Sequence, residues 1–173
     1  MKLSFYQIRN KYEELFIRVE GEMRLYVMYL HSLIHKSRFI QMKIEHIGIA
    51  VKQLSASIPL FEKLLNSPCY KTEPVESELV NTAFFLKDNT KIELIEGYSP
   101  ESPVYKFIEK KGEGMHHIAF EVEDIEAEIK RLVNEGFILI NEKPKQGADN
   151  KMVAFLHPKS TNGILVELVM ERK

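Results

Sequence analysis

The segment Gly114-Met115-His116-His117-Ile118-Ala119-Phe120-Glu121-Val122 has a counterpart 71 residues upstream, Lys43-Ile44-Glu45-His46-Ile47-Gly48-Ile49-Ala50-Val51. His117 falls on His46, Ile118 on Ile47, Ala119 on Gly48 and Val122 on Val51. The offset persists downstream, where Ile125 falls on Leu54, Ile129 on Ile58 and Leu132 on Phe61. Near the end of each copy an apolar run carries one carboxylate: Lys91-Ile92-Glu93-Leu94 and Leu165-Val166-Glu167-Leu168, 74 residues apart. Such self-similarity marks a duplicated structural unit. With one His and one Glu in each half, the repeat suggests one metal ion held between the halves.

Working outward from these segments, residues 44–51 alternate. Ile47, Ile49 and Val51 share one face, and His46, Gly48 and Ala50 the other. Leu54, Ile58, Phe61 and Leu65 follow at helical spacing, which predicts a helix over 55–65 with Pro59 tolerable only near its first turn. Residues 69–75, 79–86 and 90–95 read as strands, with Asp88-Asn89 as a turn. Ser102-Pro103 caps a short connector helix bearing Val104, Phe107 and Ile108, which Gly112 ends. The second copy repeats the order. Strand 115–122 leads to a helix capped by Asp124 and ended by Gly136, with strands near 137–141, 152–156 and 164–170. The expected class is α+β: two βαβββ modules, 42–98 and 114–173, joined by a connector at 99–113.

Residues 1–41 stand outside the repeat. They hold seven Lys/Arg and four Glu, so they are basic, while the rest carries −4. Ile8, Tyr12, Leu15, Val19, Met23, Tyr26, Leu30 and Leu33 recur every three or four residues, which predicts a helical extension, weakened by Gly21. Translation from Met42 is the other reading. His31 and His35 are read as surface residues. Across all 173 residues the net charge is −1, with no basic stripe for nucleic acid. No apolar run has the length of a membrane span. The lone cysteine, Cys69, excludes an intramolecular disulfide, reads as a small apolar residue and fits the reducing cytoplasm.

His46, Glu93, His117 and Glu167 form the candidate metal site. Two imidazoles and two carboxylates suit a borderline divalent ion, Co, Mn, Ni or Zn. Glu93 and Glu167 interrupt apolar strands, where an unpaired buried carboxylate is costly. The small residues after each histidine leave room above the sheet. Strand alternation turns His116 away from His117, toward the helix side or solvent.

Several stretches carry a resemblance. They are Lys43 to Val51, Ser99-Pro100-Glu101-Ser102-Pro103, Lys110 to Phe120, Phe155-Leu156-His157-Pro158-Lys159, and Gly163 to Leu168. Over residues 42–171 the chain resembles the methylmalonyl-CoA epimerase family of the vicinal oxygen chelate superfamily. The resemblance implies a cupped mixed sheet and a metal-dependent interconversion of (2R)- and (2S)-methylmalonyl-CoA through a metal-stabilised enolate. It implies a CoA-thioester substrate and a homodimer; the balanced charge and the lack of a span-length apolar run argue for no nucleic-acid or membrane partner. Glu167 is carried over as a metal ligand that also acts catalytically. Asn81 aligns where some members place a second acid/base, a role Asn cannot fill; Glu76, Glu78, Glu121 or a metal-bound water remain for it. Lys159, in the His-Pro-Lys turn, is a candidate for the CoA phosphates, with Lys145 and Lys151. The alternatives are a glyoxalase I-type isomerase, which uses a similar ligand set, and a metal-free binding protein of the same fold.

Overall fold

The computed structural model describes Ser4–Gln7, Leu15–Val19, Glu22–Leu25 and residues 42–172, within two units, Met1–Gln41 and Met42–Lys173. In the first unit β1 (Ser4–Gln7), β2 (Leu15–Val19) and β3 (Glu22–Leu25) form an antiparallel sheet in that order. This corrects the helix expected there. Phe16, Ile17 and Val19 are aromatic or β-branched and favour strands. Val19 pairs with Glu22, so only Glu20-Gly21 separates the two strands, and a Gly in a two-residue connection is a hairpin signal. The remainder of the predicted stripe, with His31 and His35, lies outside the described residues.

The second unit holds β4 (Lys43–Ala50), α1 (Leu54–Leu65), β5 (Lys71–Val75), β6 (Val80–Lys87) and β7 (Thr90–Gly97). Next comes the connector helix α2 (Pro103–Lys111). The second copy comprises β8 (Gly114–Glu121), α3 (Ile125–Asn134), β9 (Lys145–Gln146), β10 (Lys151–Leu156) and β11 (Leu165–Glu171). Eight strands make one curled mixed sheet in the order β5-β6-β7-β4-β8-β11-β10-β9. β4 and β8 pair antiparallel at its centre, and each pairs in parallel with the last strand of its own module. The repeat is thus a pseudo-twofold about the β4–β8 seam.

One face of the sheet is covered by helices. Leu54, Ile58, Phe61 and Leu65 of α1 pack on Ala83, Phe85 and Leu94, while Ile125, Ile129 and Leu132 of α3 pack on Ala154, Leu156 and Leu168. Cys69 packs at the edge of the α1 cluster. The caps follow the sequence: Ser102 Oγ accepts from Val104 N–H at 3.2 Å, and Asp124 accepts from the N–H groups of Glu126 and Ala127. Pro59 lies inside α1, beyond the first turn expected for it. Ser55, whose carbonyl loses its partner there, is exposed, so water can pair it.

The strand expected near 137–141 is reduced to a single bridge, Leu139 with Leu156. Ile140 N–H and Ile138 C=O still bond to Phe155 and His157, but Pro144 brings no N–H to a ladder, and regular pairing resumes only at β9. The register of β4 against β8 slips twice, between Ile44 and His46 and between Gly48 and Ile49. Glu45 on β4 and His116 on β8 are the extra residues, so each bulge lies immediately before a histidine of the repeat.

Candidate metal centre

Four neighbouring strands, β7, β4, β8 and β11, each contribute one residue to the concave face: Glu93, His46, His117 and Glu167. All four are buried. His46 Nε2 stands 2.8 Å from His117 Nε2. Glu167 Oε2 lies 3.2 Å from the first and 3.0 Å from the second. Glu93 Oε2 lies 3.3 and 3.6 Å from the same two nitrogens. Donors each about 2.1 Å from an ion and at right angles to it stand about 3.0 Å apart. The spacing therefore fits one ion, with His46, His117 and Glu167 meeting most closely. The chemistry fits as well, because two buried carboxylates facing two imidazoles call for positive charge.

The protons on these groups show the same demand. Burial works against a charged His46, yet the carboxylates of Glu167, Glu45 and Glu93 hold its pKa up at about 10. Burial raises Glu93, partly opposed by the two histidines. Burial also works to raise Glu167, but hydrogen bonds from His117 and His46 bring it down to about 2.

Room for the imidazoles comes from the residues across the seam. Gly48 pairs with His117, and Ala119 with His46. A Cβ on Gly48 would stand 2.2 Å from His117 Cε1. The small residues of the repeat are thus the beds on which the opposite histidines lie.

The centre forms part of a cavity of about 300 Å³. Its apolar lining comprises Val75, Val80, Phe84 and Ile95 from the first module, Val104 from the connector helix, and Phe155 and Val169 from the second. Thr82 faces inward, its Oγ donating to Glu73 C=O at 3.0 Å.

The other expected site residues are placed as follows. Asn81 does not line the cavity; it alternates with Val80 and Thr82, on the side where Ala83 and Phe85 meet α1. Lys159 is exposed in its turn and also lies outside the lining. Of Glu76, Glu78 and Glu121, only Glu78 lines the cavity, its carboxylate meeting Lys145. Lys151 is buried and committed to Glu45 at 2.6 Å, so it is not free for a phosphate.

Two cavity residues run against the alternation of the sequence. The bulges turn Glu45 and His116 to the concave side. His116 Nδ1 shares a 3.0 Å hydrogen bond with His117 Nδ1 and sits edge-on to Phe107. Burial, then His117, lowers its pKa to about 4. This corrects the expectation that His116 points away. The only sequence signal was the offset itself, which aligns Glu45 with His116.

Residues 45–155 match the Glyoxalase/Bleomycin resistance protein/Dioxygenase superfamily. An uncharacterised Bacillus subtilis protein, YqjC, is 42% identical over 126 residues, covering 73% of this chain and 90% of that one. The mitochondrial methylmalonyl-CoA epimerase of Dictyostelium discoideum is 41% identical over 129 residues, 73% of this chain and 76% of that protein. Among solved structures, Streptomyces coelicolor methylmalonyl-CoA epimerase in complex with 2-nitronate-propionyl-CoA superposes with a TM-score of 0.70 at 32% identity, covering 75% of this chain and 94% of that one. The chain belongs to this superfamily and, within it, to the methylmalonyl-CoA epimerase family. No described helix is long and apolar enough to cross a membrane.

Proposed function

We propose that this chain is a metal-dependent epimerase that interconverts (2R)- and (2S)-methylmalonyl-CoA through an enolate. The observation that carries the reading is the convergence of His46, Glu93, His117 and Glu167 in an apolar-walled cavity, in a chain whose relatives include methylmalonyl-CoA epimerases. Co, Mn, Ni and Zn all suit this donor set.

The proton at C2 lies between a thioester and a carboxylate. Breaking that C–H bond sends its electron pair into the thioester, and charge builds on the thioester oxygen. A bound divalent ion supplies Lewis acidity where that charge develops. Glu167 lines the cavity, and the reading gives it the transfer of that proton on one face. Inversion requires a proton returned to the opposite face. Of the candidate carboxylates Glu76, Glu78 and Glu121, Glu78 alone lines the cavity, and this reading gives it that role. The apolar part of the lining strengthens the electrostatic contacts beside it. The single cysteine supports a cytoplasmic setting. A homodimer completes the reading and is checked by sedimentation.

Deuterium exchange at C2 of methylmalonyl-CoA tests the proposal. With about 1 mM substrate, within the usual KM range, the metal-loaded protein is expected to exchange C2 with solvent and His46→Ala to lose that exchange. Absence of exchange from the loaded wild type would overturn the assignment. Glu78→Gln is expected to exchange one epimer while failing to interconvert the two. Equal loss of exchange from both epimers would remove Glu78 from the opposite-face role.

A further inference from the structure

Glu45 follows no rule of strand alternation. A regular β4 would send its side chain to the face opposite His46, under the helices. The register slip between Ile44 and His46 instead brings Glu45 to the concave side, where its side chain is 9% exposed. Oε2 lies 2.5 Å from His46 Nδ1. Oε1 lies 2.6 Å from Lys151 Nζ and 2.7 Å from Lys91 Nζ. Its partners stand on β4, β7 and β10, so both modules hold the carboxylate in place.

A carboxylate oxygen can only accept at this distance, so His46 Nδ1 carries the proton. The other ring nitrogen, Nε2, then faces Glu93, His117 and Glu167 as the ligating atom. We propose that Glu45 is a positioning residue for His46, fixing its ring orientation and the nitrogen it offers to a divalent ion. The inference rests on the metal reading above. The repeat supports it independently: the matching slip on β8 places His116 against His117 Nδ1. Each ligand histidine is thus backed at Nδ1 by the residue before it, carboxylate in one module and imidazole in the other. Carboxylates behind metal-bound histidines raise ligand basicity and hold the ring, and their removal typically weakens metal binding about 10–100-fold.

The competing role for Glu45 is charge alone, as the counter-ion of Lys91 and Lys151. Two substitutions separate the roles in the full chain. Glu45→Gln removes the charge. Glu45→Asp keeps the charge for the lysines but withdraws the carboxylate from His46 by one methylene. The readouts are Co2+ affinity by competition with a chromophoric chelator, the visible spectrum of bound Co2+, and thermal unfolding of the metal-free protein. Both variants are expected to bind Co2+ about 10–100-fold more weakly with an altered spectrum, and only Glu45→Gln to lose much thermal stability. Wild-type affinity and spectrum in Glu45→Asp would overturn the positioning role while leaving the metal reading intact. Failure of the wild type itself to take up Co2+ would overturn both, which tells the two failures apart.

Discussion

At the scale of single residues, the site depends on what is absent from Gly48. Its partner across the seam is His117, and a Cβ there would stand 2.2, 2.5 and 2.7 Å from three atoms of the imidazole. No Cβ tolerates such approaches, so either the ring or the strand must move. Overpacking of this kind costs about 1–3 kcal/mol. Gly48→Ala is therefore expected to lower stability by that order in denaturant unfolding. It should also weaken Co2+ binding at least about tenfold, because a ligand displaced by even a fraction of an ångström leaves the geometry the ion requires. Undiminished Co2+ affinity in this variant would show that His117 is not held by its bed. Ala119 pairs with His46 across the same seam and is fully buried.

At the scale of elements, the loop before β10 ties the second module to the first. Asp149 has φ 55°, and its N–H donates to Glu73 Oε1 at 2.7 Å. Its carboxylate accepts from Lys71 and Lys91, both at 2.8 Å. Those lysines lower its pKa from 3.8 to about 2, against the opposing effect of burial. A carboxyl group that binds its proton more weakly when folded stabilises the fold only while ionised. The contribution is present above pH 3.8 and is lost as pH falls toward about 2. Asp149 is about one third exposed, so solvent screens the pair and about 1 kcal/mol is expected. Asp149→Asn should unfold more readily than wild type at neutral pH, and the difference should shrink through about pH 2 and vanish below it, as followed by urea titrations across that range. A pH-independent difference would assign the effect to loop geometry instead.

The connector helix offers a second test at this scale. Ser102 is fully buried and caps α2. Ser102→Ala leaves an orphan N–H and should cost about 1 kcal/mol in the same titration.

At the scale of the whole molecule, the donors straddle the β4–β8 seam, two from each module. An ion held there binds the folded state and not the separated halves. With free ion at about 100 times its dissociation constant, the gain is about 2.7 kcal/mol. Metal addition is expected to raise the temperature of a single unfolding transition, and chelation to lower it. Two transitions that respond separately would show that the modules fold independently of the seam. Among the described residues, those that line the cavity lie within 42–172, and a chain beginning at Met42 is expected to bind Co2+ with the affinity of the full chain. Loss of affinity on truncation would assign residues 1–41 a part in the site.

The sequence by itself determined the duplication, the strand–helix order of both modules, the caps at Ser102 and Asp124, and the four residues that converge. These follow from local rules, because apolar period, turn chemistry and a 71-residue offset are written along the chain. Residues 15–25 satisfied a helical spacing and strand composition together, so period alone misread them. Tertiary structure decided the rest. Strand pairing placed the bulges at Glu45 and His116, and each bulge reverses the face that alternation assigns to the residues beside it. Alternation along β6 gave the cavity to Thr82 rather than Asn81. Curling of the sheet buried Lys151 against Glu45, from a strand more than a hundred residues away. Register and curvature are properties of pairs of strands, and no single segment of chain specifies them.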